Sequence, residues 1–257
     1  MKMENARVEK APLNEISRRK MLAHGEHFLL SNWRQVAFFH YAVKPEFLQS
    51  QVPFELDLYE GKAYVSGVAF YLEKLRPKFG GALGAAFMKP IANHELLNIR
   101  TYVRHNGETG IYFLAEFLPN LLSAQLGPRF CGLPYRYAKL AYHHEPSHGK
   151  IAGQGRAGGN CIAYTGKVNS EAPFRHCEEG SLEEFVLERY TAFTWRKRII
   201  RSFRVWHPAW CHTEMGIEIQ EDALLKTTGD WVRRADLIGA HYSPGFDDVW
   251  MGWPRRF

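Results

Sequence analysis

Apolar residues along this chain recur most often with a period of two, the spacing that gives a β-strand two distinct faces. Over residues 63–72, Tyr64, Ser66, Val68 and Phe70 alternate with Val65, Gly67, Ala69 and Tyr71. Residues 36–43 predict an earlier strand, halted at Lys44-Pro45, where proline ends a ladder and opens a short helix over 45–51. Residues 95–103 and 111–117 read as paired strands. Between them stands Asn106-Gly107, a dipeptide suited to the positive φ angles of a tight hairpin.

Later segments are shorter. Residues 121–126 predict one or two helical turns and 135–144 one strand-like run, with brief strands at 151–152, 161–164 and 168. Residues 80–84 read as a glycine-rich connection. Gly153, Gly155 and Gly158 match a Gly-x-Gly-x-x-Gly pattern, but no helix pattern follows, so a dinucleotide loop is rejected. Ser181-Leu182-Glu183-Glu184 is a capping box opening a helix to about residue 188. Strands are predicted at 190–194, 200–205 and 212–219, a helix at 221–226, and closing strands at 238–242 and 249–250. Residues 1–30 form a charged extension with a short helix around 15–23, and 31–257 a single domain. Many short strands with small helices predict a mainly β fold, a sandwich or barrel.

Composition narrows the function classes. Aromatic residues reach 14%, suiting pleated, half-buried surfaces and pocket walls. The net charge of +6 is dispersed, its densest clusters at 18–20, 196–198 and 255–256, so a nucleic-acid partner is not expected. Cys131, Cys161, Cys177 and Cys211 include no Cys-x-x-Cys pair, which fits reduced thiols in a cytoplasmic protein. The first residues lack the apolar core of a secretory signal, and no apolar run approaches a bilayer span of ~20 residues, so no membrane partner is expected. The histidine pairs His24/His27 and His143/His144 match no zinc template; no metal or other cofactor is predicted. A nucleophile elbow and a phosphate loop are both missing.

Phe39-His40-Tyr41, the run from Glu95 to Val103 with its Asn98-Ile99-Arg100-Thr101-Tyr102, Gly132-Leu133-Pro134-Tyr135 and His207-Pro208-Ala209-Trp210 together resemble a bacterial family of uncharacterised proteins called YqjF-like. The likeness spans about residues 31–253 and implies the fold of acetoacetate decarboxylase: a cone-shaped antiparallel β-barrel with small outer helices, an internal pocket and a tendency to form homo-oligomers. That enzyme carries its Schiff-base lysine in a Pro-Lys-Lys motif. Here the matching residues are Pro134-Tyr135-Arg136, so the amine is missing and the decarboxylase reaction is not carried over.

The expected ligand is a small anionic or carbonyl compound. Arg100 and Arg136 are the candidates to fork a carboxylate. Glu95 is the candidate acid or base, its pKa raised if it is buried. Tyr135 is a candidate hydrogen-bond donor, and Lys139, spaced to share its face, a displaced amine. His40 and His207 fall in the family-like segments and are candidates to line the pocket. Each has a plain structural reading beside it: arginines pairing with glutamates, an ordinary surface lysine, core tyrosine and histidines. These residues leave two functions open, an enzyme without a Schiff base and a non-catalytic binding protein.

Overall fold

The structure, a computed structural model, describes residues 11–169 and 171–256. The elements are α1 (Leu13–Ala23), β1 (His27–Val43), α2 (Pro45–Gln49), β2 (Glu55–Leu56), β3 (Ala63–Pro77), α3 (Gly81–Met88), β4 (His94–His105), β5 (Glu108–Leu118), α4 (Leu121–Phe130), β6 (Tyr135–Tyr137) and β7 (Lys139–Glu145). They continue with β8 (Lys150–Ala157), β9 (Asn160–Val168), α5 (Leu182–Leu187), β10 (Thr191–Arg196), β11 (Ile199–Trp206), β12 (Thr213–Glu221), α6 (Ala223–Lys226), β13 (Ala235–Gly252) and β14 (Arg255–Arg256).

Hydrogen bonding runs β11-β10-β5-β4-β3-β1-β13 and returns to β11 through Val205 opposite Met251 and Trp206 opposite Trp250, making a ring of paired strands. From β13 the pairing continues through β12, β9 and β8 to β7. This second, antiparallel sheet lies across the outside of the ring. Tyr71 donates its hydroxyl to the Tyr142 carbonyl (2.7 Å), and Tyr142 donates to the Leu96 carbonyl (3.1 Å).

The central ring strands are buried on both faces, which is why they read as near-continuous apolar runs. Ala37, Phe39, Tyr41, Val65, Ala69, Leu97 and Ile99 pack outward against Tyr142, Ile162, Tyr164 and Met215 of the second sheet. Val36, Phe38, Tyr64, Val68, Phe70, Leu96, Tyr102 and Phe113 pack inward with Trp210. Phe39 faces Gly67 across the β1–β3 pairing, and a Cβ on Gly67 would stand 2.0 Å from its ring.

The Asn106-Gly107 hairpin forms as predicted, with φ of 50° and 75°, and the helix over 15–23 is present as α1. That helix lies on the ring's seam: Ser17 donates to the Val205 carbonyl (3.3 Å), and the Arg18 guanidinium sits over the rings of Trp206 and Trp250. Ser181 caps α5 by accepting from the Glu184 amide (3.1 Å), while Glu184 accepts from Gly180 and not from Ser181 itself.

Elsewhere the structure differs from the pattern. The connection after β3 holds a helix, α3. The run over 135–144 is two strands: β6 pairs in the ring beside β5, and β7 begins the outer sheet. The strands at 238–242 and 249–250 are one strand, β13. Pairing is mainly antiparallel, but β5 runs parallel to both β10 and β6. Gly153 lies opposite Tyr164, whose ring occupies the space a Cβ would need.

Candidate functional site

The inward face of the ring is mostly apolar, and its polar side chains fall into two groups, one at the cavity and one around His40. Alternation along β4 directs Asn98 and Arg100 inward between Leu96 and Tyr102. On β5, Asn98 pairs with Glu116 but Arg100 pairs with Phe113, so a bulge holds one extra residue between them. The bulge turns both Phe113 and Glu116 inward. β6 then sets Tyr135 beside Glu116.

These residues line a cavity of about 100 Å³, walled by Trp33, Phe38, Val68, Phe70, Leu133, Phe203, His207 and Trp210. On this wall, Trp33 Nε1, Asn98 Oδ1, Arg100 Nε, Glu116 Oε2 and Trp210 Nε1 are buried without a hydrogen-bond partner. Each such group costs about 1–3 kcal/mol, so their gathering at one cavity fits a polar guest better than an apolar one. Arg100, 7% exposed, donates to the Val186 carbonyl (3.0 Å) and lies over the Phe38 ring. Among the described residues it forms no ion pair.

Burial raises the Glu116 carboxyl from 4.5 to about 8, so it is protonated at neutral pH. Burial, then Glu116, holds the Tyr135 phenol well above its ordinary range, leaving it a hydrogen-bond donor. His207 is lowered to about 4 by burial. Its Nδ1–H donates to the Pro208 carbonyl (2.7 Å), which fixes the neutral tautomer and leaves Nε2 as an acceptor.

His40 is different. Tyr102 donates its hydroxyl proton to the Val186 carbonyl (2.8 Å), so Ser66 donates to Tyr102 (2.5 Å) and accepts from His40 Nδ1–H (2.7 Å). His40 Nε2 then accepts from His241 Nδ1–H (3.1 Å). Both ring nitrogens are committed, and burial first, then His241, lowers its pKa well below the usual value. His40 belongs to a saturated chain that stiffens the wall.

The sequence-predicted residues therefore separate. Arg100, Tyr135 and His207 meet at the cavity. Glu95 is an odd number of strand residues from Arg100 and lies on the opposite face, opposite Tyr71. Arg136 points outward and donates to the Thr227 carbonyl (3.0 Å). Lys139 opens β7, is exposed, and pairs with Arg156, so the face it was expected to share with Tyr135 does not exist. Sequence reasoning missed Glu116, Trp33 and the carboxamide of Asn98. A glutamate in an otherwise apolar strand was the available signal.

Wider clefts lie elsewhere, among them two set against helices. One, about 280 Å³ beneath α1, has both of its arginines paired: Arg204 with Glu26 and Arg189 with Asp57. The other, about 490 Å³, runs between α5, β12 and β13, and it is this cleft, not the ring cavity, that His40 lines together with His241. Neither gathers unpartnered buried groups as the ring cavity does.

Among solved structures, the fold is similar to acetoacetate decarboxylase from Legionella pneumophila, with a TM-score of 0.62 and 14% identity over 90% of this chain and 89% of that one. It is similar also to an acetoacetate decarboxylase-like enzyme from Sphingomonas wittichii RW1, with a TM-score of 0.59 and 15% identity over 90% and 94%. A third is the enduracididine biosynthesis enzyme MppR complexed with pyruvate, with a TM-score of 0.59 and 11% identity over 89% of each chain. At these identities the likeness establishes the mainly β, cone-like fold alone. In sequence, the chain is 28% identical to the uncharacterized protein YqjF of Bacillus subtilis (strain 168) over 248 residues, 90% of this chain and 93% of that protein. The model of the DUF2071 family, described as an uncharacterized conserved protein, matches residues 31–247, and the chain belongs to that family.

Proposed function

We propose that the ring cavity binds a small carboxylate or carbonyl compound and that Glu116 exchanges a proton with it, with no lysine Schiff base. The observation carrying this reading is the set of unpartnered buried groups on one apolar wall: Trp33 and Trp210 indole N–H, Arg100 Nε–H, Asn98 Oδ1 and Glu116 Oε2. Three of these donate, which suits carboxylate or enolate oxygens, and the guanidinium supplies a charge without a carboxylate partner among the described residues. Glu116, with a pKa of about 8, is suited to give or take a proton near neutrality. Tyr135 donates to a substrate oxygen, and His207 Nε2 accepts. No lysine is among the described residues lining the cavity, which argues against an imine. The pyruvate named for MppR supports keto acids as the first class to test.

The test follows hydrogen exchange at carbon next to the carbonyl of pyruvate and acetoacetate in deuterated water, with calorimetry for binding. Wild type accelerates exchange, Glu116→Gln loses about 10²–10⁴-fold while still binding, and Arg100→Met loses binding. Binding without exchange in wild type assigns a non-catalytic binding protein. Neither binding nor exchange overturns the proposal for keto acids.

A further inference from the structure

α3 reads GALGAAFM, with no charged or hydrogen-bonding side chain, yet none of its residues is buried. Leu83 and Phe87 are each 85% exposed, and Phe79 just before the helix is 69% exposed. A helix that is apolar all round is normally enclosed by something. The face continues onto α4, whose N-cap Asn120 donates to the Pro90 carbonyl (2.6 Å) and so holds the start of α4 against the chain leaving α3. Leu121, Leu122 and Leu126 of α4 are also exposed.

Within the segments that build this face the charge has one sign. Residues 74–92 include Lys74, Arg76, Lys78 and Lys89 and no acidic residue; α4 contributes Arg129 and no acidic residue. Asp248 pairs with Arg76, leaving the lysines to set the rim. A second copy docking face to face would set this basic rim against itself, because a two-fold contact matches a patch to its own image. A negatively charged bilayer answers both features, taking the apolar side chains into the headgroup boundary and attracting the lysines.

We propose that α3 and α4 form a peripheral docking surface for an anionic lipid bilayer. This departs from the sequence expectation of no membrane partner, and it needs no spanning helix: among the described residues no helix is long and apolar enough to cross a membrane.

The test is co-sedimentation of the full chain with phosphatidylcholine vesicles, with and without phosphatidylglycerol. Wild type sediments with the anionic vesicles only, and added salt releases it. Each lysine near an anionic surface contributes roughly a fivefold factor, so Lys78→Gln/Lys89→Gln lowers partitioning about thirtyfold. Leu83→Ser/Phe87→Ser, at exposed positions, lowers it at least about tenfold with an unchanged melting curve. Wild type that stays in the supernatant with anionic vesicles, or variants that bind as wild type does, overturn the proposal. So does a wild-type dimer split by Leu83→Ser/Phe87→Ser in the absence of vesicle binding, which assigns the face to a second copy.

Discussion

Replacing Glu116 with glutamine keeps the shape of the side chain and removes its titration, so the variant measures what burying that carboxyl costs. In the folded chain the proton is held until about pH 8; in the unfolded chain it leaves near 4.5. The stability attributable to Glu116 is therefore full below 4.5 and is lost as pH rises towards 8, because the unfolded state gains by ionising while the folded state does not. Glu116→Gln has no such loss. The difference in unfolding free energy, variant minus wild type, grows by about 1.4 kcal/mol per pH unit from 4.5, towards a ceiling of about 5 kcal/mol near 8. Urea titrations of both proteins across this range supply the difference, and titrations of all other groups cancel in it. A difference that stays flat, or that falls as pH rises, refutes the protonated, buried carboxyl on which the proposed proton exchange depends.

The acid side has the opposite sign. His144, His207 and His241 are each lowered by burial from 6.5 to about 4, so their contribution is present above 6.5 and lost as pH falls towards 4. Wild-type stability in that window should fall more steeply than the ~1.4 kcal/mol per pH unit of a single group. Asp57 holds both Arg104 (2.6 Å) and the buried Arg189 (2.8 Å), so Asp57→Ala strands a buried cation and should cost about 3–5 kcal/mol by urea titration. Gly67→Ala drives a methyl into the Phe39 ring and should cost about 1–3 kcal/mol, read as a lowered melting temperature with the β spectrum retained.

Local chemistry was legible in the sequence where it is self-contained. Asn106-Gly107 announces its turn because only a positive φ closes a two-residue hairpin, and Ser181 announces a helix start because its hydroxyl meets the Glu184 amide. Arg100 and Tyr135 could be named because they fall in family-like segments, and His207 likewise. Glu95 was drawn in by nearness in sequence, although strand parity alone already separated it from Arg100. Glu116 was hidden for a deeper reason. Regular alternation from Phe113 turns Ala115 inward and Glu116 outward, and only the bulge opposite Ile99 and Arg100 reverses that. A bulge depends on pairing with a second strand, which a one-dimensional pattern does not record. Likewise, the break between Tyr137 and Lys139 comes from the two sheets parting, not from a turn residue.

That bulge separates the inheritance of the scaffold from the inheritance of the chemistry. Upstream of it β5 follows one parity and downstream the other, so loss of the extra residue leaves Phe113 and Glu116 both inward, whereas loss of the bulge at constant length sets the Ala115 methyl at the cavity wall in place of the Glu116 carboxyl. Evolution can thus rewrite what the ring contains by shifting register instead of changing identity, and an ungapped alignment with a strand that lacks the bulge will pair Glu116 with residues that face the other way.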